Sequence, residues 1–178
     1  MGDSFFASDV FRFGLPLLGI VLSSLAIIRR LPVRTPEKVV EAVSMVTFGI
    51  GGFGNLVNFV LHFFYSDAVA AYIGWPPGSP FQKEVAGANL AVGLLGFLGF
   101  WRRDFWLPYV VAKSAFLWVA GITHVLELLD AGNFAPGNAG LTLYADFVWP
   151  LVYVLLLRLG WRLGNRERGG TMPTHPLF

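Results

Sequence analysis

Long apolar runs dominate this chain, separated by short segments rich in arginine or in glycine and proline. About 17–25 mostly apolar residues are needed for a helix to cross the hydrocarbon core of a bilayer. Five stretches meet that requirement: Val10 to Ile28, Val39 to Tyr65, Glu84 to Trp101, Phe105 to Leu129 and Leu141 to Leu159. The pattern predicts an all-α fold, an integral membrane bundle of five transmembrane helices in which one N-terminal helix precedes a four-helix bundle. Gly74-Trp75-Pro76-Pro77-Gly78-Ser79-Pro80 cannot continue a helix, because its prolines lack amide donors and restrict the residues before them. The stretch from Ala131 to Gly140 is a second loop of the same kind. No internal repeat is visible.

Charge then orients the bundle. Asp3 and Asp9 precede the first span and Arg29, Arg30 and Arg34 follow it, the reverse of a secretory signal, and no Ala-x-Ala-like cleavage site follows. The first span is therefore expected to be a retained helix with its N-terminus outside. Lys and Arg collect in cytoplasmic loops. One side of the expected bundle holds Arg29, Arg30, Arg34, Lys38, Arg102, Arg103, Arg158, Arg162, Arg166 and Arg168, ten of the thirteen basic residues. Arg12 and Lys83 lie on the other side, and Lys113 falls within the fourth span. The expected topology is N-out, C-in in the cell inner membrane. Tyr65, Tyr72 and Trp75 would mark one interface and Trp101, Trp106 and Trp161 the other. Trp118 and Trp149 lie deeper and are expected to pack between helices. Residues 1–165 make one transmembrane domain and 166–178 a polar tail.

Composition strengthens this picture. The 178 residues are 55% hydrophobic and 13% charged, against about 45–50% and about 25% in soluble domains. The absence of cysteine excludes disulfides, thiolate metal sites and catalytic thiols together. The net charge of +2 arises from residues placed as membrane anchors, which argues against a nucleic-acid partner.

Polar residues inside the spans carry the candidate chemistry. Phe48, Gly51, Asn55, Asn58, His62 and Tyr65 recur at steps of three and four, and so share one helix face. Gln82, Ala86, Asn89, Gly93 and Gly96 form a matching stripe on the next span. Small residues at this spacing let helices approach closely in lipid, so the two faces are expected to touch. The fourth span shows Lys113, Leu117, Ala120, His124 and Glu127, and the fifth places Asp146 about a turn from its outer end. His62, Gln82, Glu84, Asn89, His124, Glu127 and Asp146 thus fall at one depth, in the outer half.

Ionisable groups within a span are costly unless paired, hydrated or metal-bound. Three chemistries fit the cluster. His62, Glu84, His124, Glu127 and Asp146 are candidate ligands of a transition metal, with His124 and Glu127 projecting from one side of a helix. They fall short of a di-iron bundle signature, which needs a Glu-x-x-His motif from each of two helices. A quinone or other small molecule is the second candidate, with one histidine and one carboxylate exchanging protons and Asn58, Gln82 and Asn89 as ligand-binding amides. The third is interhelical hydrogen bonding alone, with His124 satisfied by Glu127 or Asp146. Lys113 is expected to snorkel to the cytoplasmic interface in a structural role. Ser-His-Asp order and phosphate-cradling glycine loops are not in evidence, since the glycines at 49, 51, 52 and 54 lie within a span.

The stretch from Ile73 to Leu90, with Asn138-Ala139-Gly140 and Asp146, resembles an uncharacterised family of small bacterial membrane proteins. Residues 45 to 160 resemble the DoxX-like four-helix proteins, with a glycine-rich helix, an outer loop, and a glycine-rich helix opening on a glutamate. This chain departs from them by its additional N-terminal helix. The resemblance implies a subunit of a membrane redox system, in places acting on sulfur compounds and passing electrons to quinone, and it supplies no catalytic residue here. Two functions follow as expectations: a ligand- or metal-binding protein of a membrane redox system, or a non-catalytic accessory subunit of a larger complex. Membrane lipids, other membrane subunits and a second copy of the chain are the expected partners. A transporter is less favoured, because the polar stripe is expected to fade at Gly93, Gly96, Leu117 and Ala120.

Overall fold

The computed structural model describes residues 13–167. Asp3, Asp9, Arg12 and Arg168, with the start of the first predicted span and nearly all of the predicted tail, lie outside the described residues. Every element described is helical: α1 (Leu15–Arg30), α2 (Pro36–Phe64), α3 (Ser66–Ile73), α4 (Phe81–Leu98), a 3-10 turn (Arg103–Phe105), α5 (Trp106–Asp130), α6 (Pro136–Ala139) and α7 (Leu141–Glu167).

Local sequence sets the element boundaries. The Thr35 hydroxyl accepts from the Lys38 amide at 3.4 Å, while Pro36 and Glu37 suit the first turn of α2. Gly74 ends α3 at φ 83°, a left-handed conformation that disfavours a side chain. Pro150 lies buried inside α7.

Pro36–Phe64, Arg103–Asp130 and Pro136–Gly164 are long and apolar enough to cross a membrane. The other two predicted spans are also helical but shorter or more polar. α4 has 18 residues with Gln82, Lys83 and Glu84 in its first turn, and the described part of α1 has 16. The bundle has two distinct ends. The loop end carries segments 74–80 and 131–140, and the arginine end carries Arg29, Arg34, Arg102 and Arg103.

α2 is central, packing most broadly on α4 and also on α1 and α7, while α5 packs on α7. The expected contact of α2 with α4 is present and is made backbone to backbone. A Cβ on Gly52 would stand 2.5 Å from the Phe97 nitrogen, and one on Gly96 2.7 Å from the Gly52 Cα. Gly52, one residue round from the predicted Gly51, makes this crossing. Gly51 instead faces α5 and α7, where a Cβ would meet the Tyr109 and Tyr153 hydroxyls at 2.3 and 2.9 Å.

Below those hydroxyls the arginine end is aromatic. Phe48 contacts Trp106, Tyr109 and Tyr153 at centroid distances of 5.5, 5.8 and 5.9 Å, and Trp149 stacks on Tyr153 at 5.6 Å. Trp106 is not the interface residue expected from sequence. It is buried and donates its indole N–H to the Gly99 carbonyl at 2.8 Å, closing the turn between α4 and α5. Trp118, expected to pack between helices, is 41% exposed on the outer surface of α5.

Candidate functional site

The two polar stripes read from sequence meet across the bundle. Asn55 Nδ2 donates to Asn89 Oδ1 at 3.0 Å, and Asn89 Nδ2 donates to the Val85 carbonyl at 3.0 Å. Two turns nearer the loop end, His62 and Gln82 pair at 2.6 Å between Nδ1 and Oε1. An amide oxygen only accepts, so the His62 proton sits on Nδ1. Asn58, between the two pairs, is half-buried and makes no side-chain hydrogen bond among the described residues.

Lys113 corrects one expectation. Its ammonium does not snorkel: it is buried, donates to Asn55 Oδ1 at 2.6 Å, and lies within electrostatic reach of Asp146. An ammonium removed from water needs such partners, because a buried charge without them is strongly destabilising. The sequence distance of 58 residues to Asn55 hides this pairing.

The principal site lies around His124, 6% exposed in the last third of α5. Asn138, in α6, clamps it. His124 Nδ1 donates to Asn138 Oδ1 at 2.7 Å, while Asn138 Nδ2 donates to the carbonyls of His124 at 3.1 Å and Asn133 at 2.9 Å. Asn133 in turn donates to the Ile73 carbonyl at 3.0 Å, tying the second loop to α3. The Trp75 indole stacks over the imidazole at 6.5 Å and 30°.

With a proton on Nδ1, His124 turns Nε2 toward Asp146 Oδ2 at 3.7 Å, an ion-pair distance but beyond a hydrogen bond. An imidazole nitrogen and a carboxylate oxygen so placed could both bond to a polar group that bridges them. Asp146 Oδ2 has no hydrogen-bond partner, and neither do the neighbouring buried polar atoms Trp75 Nε1 and Thr142 Oγ1. Thr142 is one turn before Asp146 and on the same face of α7. Buried polar atoms are almost always bonded; others without partners lie on Ser24, Ser44, Thr47, Tyr109 and Ser114, and the three here differ in lying on residues grouped with a buried histidine.

The expected metal set is thereby divided. Only His124 and Asp146 of the five candidates come together. His62 is with Gln82, the half-buried Glu127 approaches Asn133 Nδ2 at 3.5 Å, and Glu84 is exposed on the first turn of α4. Among the described residues no group of three or more His, Asp or Glu side chains could hold a metal ion. The amides of Gln82, Asn138 and Asn133 are instead the hydrogen-bond partners of His62, His124 and Glu127. Nor does His124 rely on Glu127, as the spacing suggested. Asn138 and Trp75 were missed because they lie in loops with no periodicity. The only signal was turn chemistry, the Pro136-Gly137-Asn138 and Gly74-Trp75-Pro76 triplets.

No curated protein and no solved structure matches the chain. A family model does match, over residues 9–166, which is most of its length. The chain belongs to DUF6790, a family of unknown function.

Proposed function

We propose that this is a five-span protein of the cell inner membrane, N-terminus outside and C-terminus cytoplasmic, that binds a quinone-type ligand at its outer, loop end. The observation that carries the proposal is the buried pair of His124 Nε2 and Asp146 Oδ2, 3.7 Å apart, with the Trp75 indole, whose Nε1 has no hydrogen-bond partner, stacked on the imidazole. A quinone ring oxygen accepts hydrogen bonds and a quinol hydroxyl donates them, so the site could hold either form. Trp75 would hold the ring oxygen as a hydrogen-bond donor. His124 and Asp146 would accept from a quinol hydroxyl. Asn138 keeps the histidine in the tautomer that leaves Nε2 free. Lys113 sets the field at Asp146 from the other side. The arginine distribution supports the orientation, and the DoxX-like resemblance points to the same redox setting.

The test is to purify the full chain in mild detergent, extract it with organic solvent and quantify quinone. Near-stoichiometric quinone in the wild type and its loss in His124→Ala are expected. Wild-type protein that carries no quinone, and shows no saturable binding of decylubiquinone in nanodiscs, would refute the proposal.

One observation favours a second reading, an accessory subunit. α1 packs chiefly on α2, with Ser24 its one buried residue among the described residues, which leaves Leu15, Leu18, Leu22 and Leu25 on an open face. A partner membrane subunit or a second copy would cover that face. Crosslinking from Leu22 in native membranes decides it: no adduct beyond the monomer would set this reading aside.

A further inference from the structure

At the opposite end of the bundle from His124, α5 and α7 enclose an outward-facing groove of about 390 Å³. Its walls are apolar, built from Leu107, Val110, Val111, Ala115, Val154 and Leu157, with Trp118 at one end and Arg158 and Trp161 at the other. From Leu107 to Trp118 the rise along α5 is about 16 Å at ~1.5 Å per residue. That is close to half of a hydrocarbon core about 30 Å thick, the depth of a single leaflet.

Two polar features distinguish this groove from an ordinary apolar surface. Arg158 lines it, with Arg162 one turn further on, and neither has an ion-pair partner among the described residues. Ser114 also lines it, 5% exposed, with a hydroxyl that has no hydrogen-bond partner. The groove thus offers an acyl-length apolar track, a free hydroxyl donor along its wall and a free guanidinium at its mouth beside an interfacial tryptophan. Basic pockets between helices at the cytoplasmic side suit anionic lipid headgroups, and guanidinium holds phosphate through paired N–H donors.

We infer that the groove between α5 and α7 is a binding site for one anionic phospholipid, with its phosphate on Arg158 and one acyl chain running past Ser114 toward Trp118. The inference rests on the membrane-spanning reading of α5 and α7 but not on quinone binding at the other end.

Native mass spectrometry of the full chain, exchanged with phosphatidylglycerol or phosphatidylcholine, tests it. Each arginine at a membrane surface is worth about 1 kcal/mol toward anionic lipid, so a preference of about fivefold or more for phosphatidylglycerol is expected. Arg158→Ala should abolish most of that preference and Arg158→Lys should keep part of it. Val111→Trp, which fills the track, should lower retention of both lipids. Equal retention of the two lipids by the wild type would overturn the inference. So would a preference unchanged in Arg158→Ala, or displacement of the lipid by millimolar inorganic phosphate alone. Quinone content, measured in the same samples, is expected to be unaffected in all three variants, which separates this site from the one at His124.

Discussion

The two ends of the bundle bury different chemistry. At the arginine end the core is closed by rings: Phe48, Trp106, Tyr109 and Tyr153 interlock, and the Trp106 indole N–H is satisfied by the Gly99 carbonyl. At the loop end His124 is clamped by Asn138 on one nitrogen, while its other nitrogen, the Asp146 carboxylate and the Trp75 indole stay without hydrogen-bond partners. Unbonded buried hydroxyls occur toward the arginine end as well, on Ser44, Thr47, Tyr109 and Ser114. What sets the loop end apart is a buried imidazole facing a buried carboxylate, groups costlier to leave uncompensated than a hydroxyl. That difference supports the proposed ligand chemistry at the loop end.

The charges linking the two halves should give the largest effect. Asp146→Leu leaves the Lys113 ammonium buried with Asn55 as its hydrogen-bond partner and no carboxylate in electrostatic reach. The destabilisation is up to about 3 kcal/mol, the lower end of the range for a buried pair in direct contact. Thermal unfolding in detergent should show a steep loss that adding Lys113→Met largely reverses. A double variant as unstable as the single one would mean that the two charges do not compensate each other.

Next in size is the backbone crossing. Gly52→Leu forces α2 off α4 where Phe97 and Gly96 leave no room for a Cβ, at a cost of about 1–3 kcal/mol or more from overpacking. Gly54→Leu, whose Cβ would meet nothing within 4 Å, should leave the unfolding temperature nearly unchanged. Similar losses for both would place the crossing elsewhere.

Asn138→Ala removes the clamp on His124 and its bonds to two carbonyls. Three hydrogen bonds at about 0.5–1.5 kcal/mol net each make the global loss comparable to that of Gly52→Leu. Faster proteolysis within segment 131–140 should be the clearer signature. Unchanged cleavage would argue that other contacts hold the loop. Asn58→Ala is expected to have the smallest effect, within about 0.5 kcal/mol, as for substitutions away from any bonded network. A larger loss would reveal a role for this amide in binding a ligand.

The share of this arrangement legible in the sequence follows the helical period. The 3–4 spacing put Asn55 and His62 on one face and Gln82 and Asn89 on the face expected to touch it; which residues pair across that contact came only with the structure. It also placed small residues between α2 and α4, although Gly52 rather than Gly51 makes the contact. Contacts made by loops escaped, since nothing in a run of glycine, proline and asparagine fixes which side chain turns inward. Asn138 and Trp75 both reach His124 that way. Lys113 was misjudged for another reason. Its depth allowed an escape to the interface, and only the presence of Asn55 and Asp146 across the bundle makes burial the better solution. The metal set failed as a group because depth along a helix says little about azimuth, and Glu84 and His62 face other neighbours.

The central claim is that the free polar atoms around His124 receive a ligand, and the Trp75 indole reports on it directly. In protein labelled with nitrogen-15 at tryptophan, with the Trp75 signal assigned by Trp75→Phe, decylubiquinone is added to the nanodisc-embedded chain. A saturable shift of the Trp75 Nε1–H resonance, absent in Thr142→Ala or strongly weakened there, with Trp118 and Trp161 unmoved, is the predicted result. A Trp75 resonance that does not move, or that moves no more than those of Trp118 and Trp161, would contradict the account.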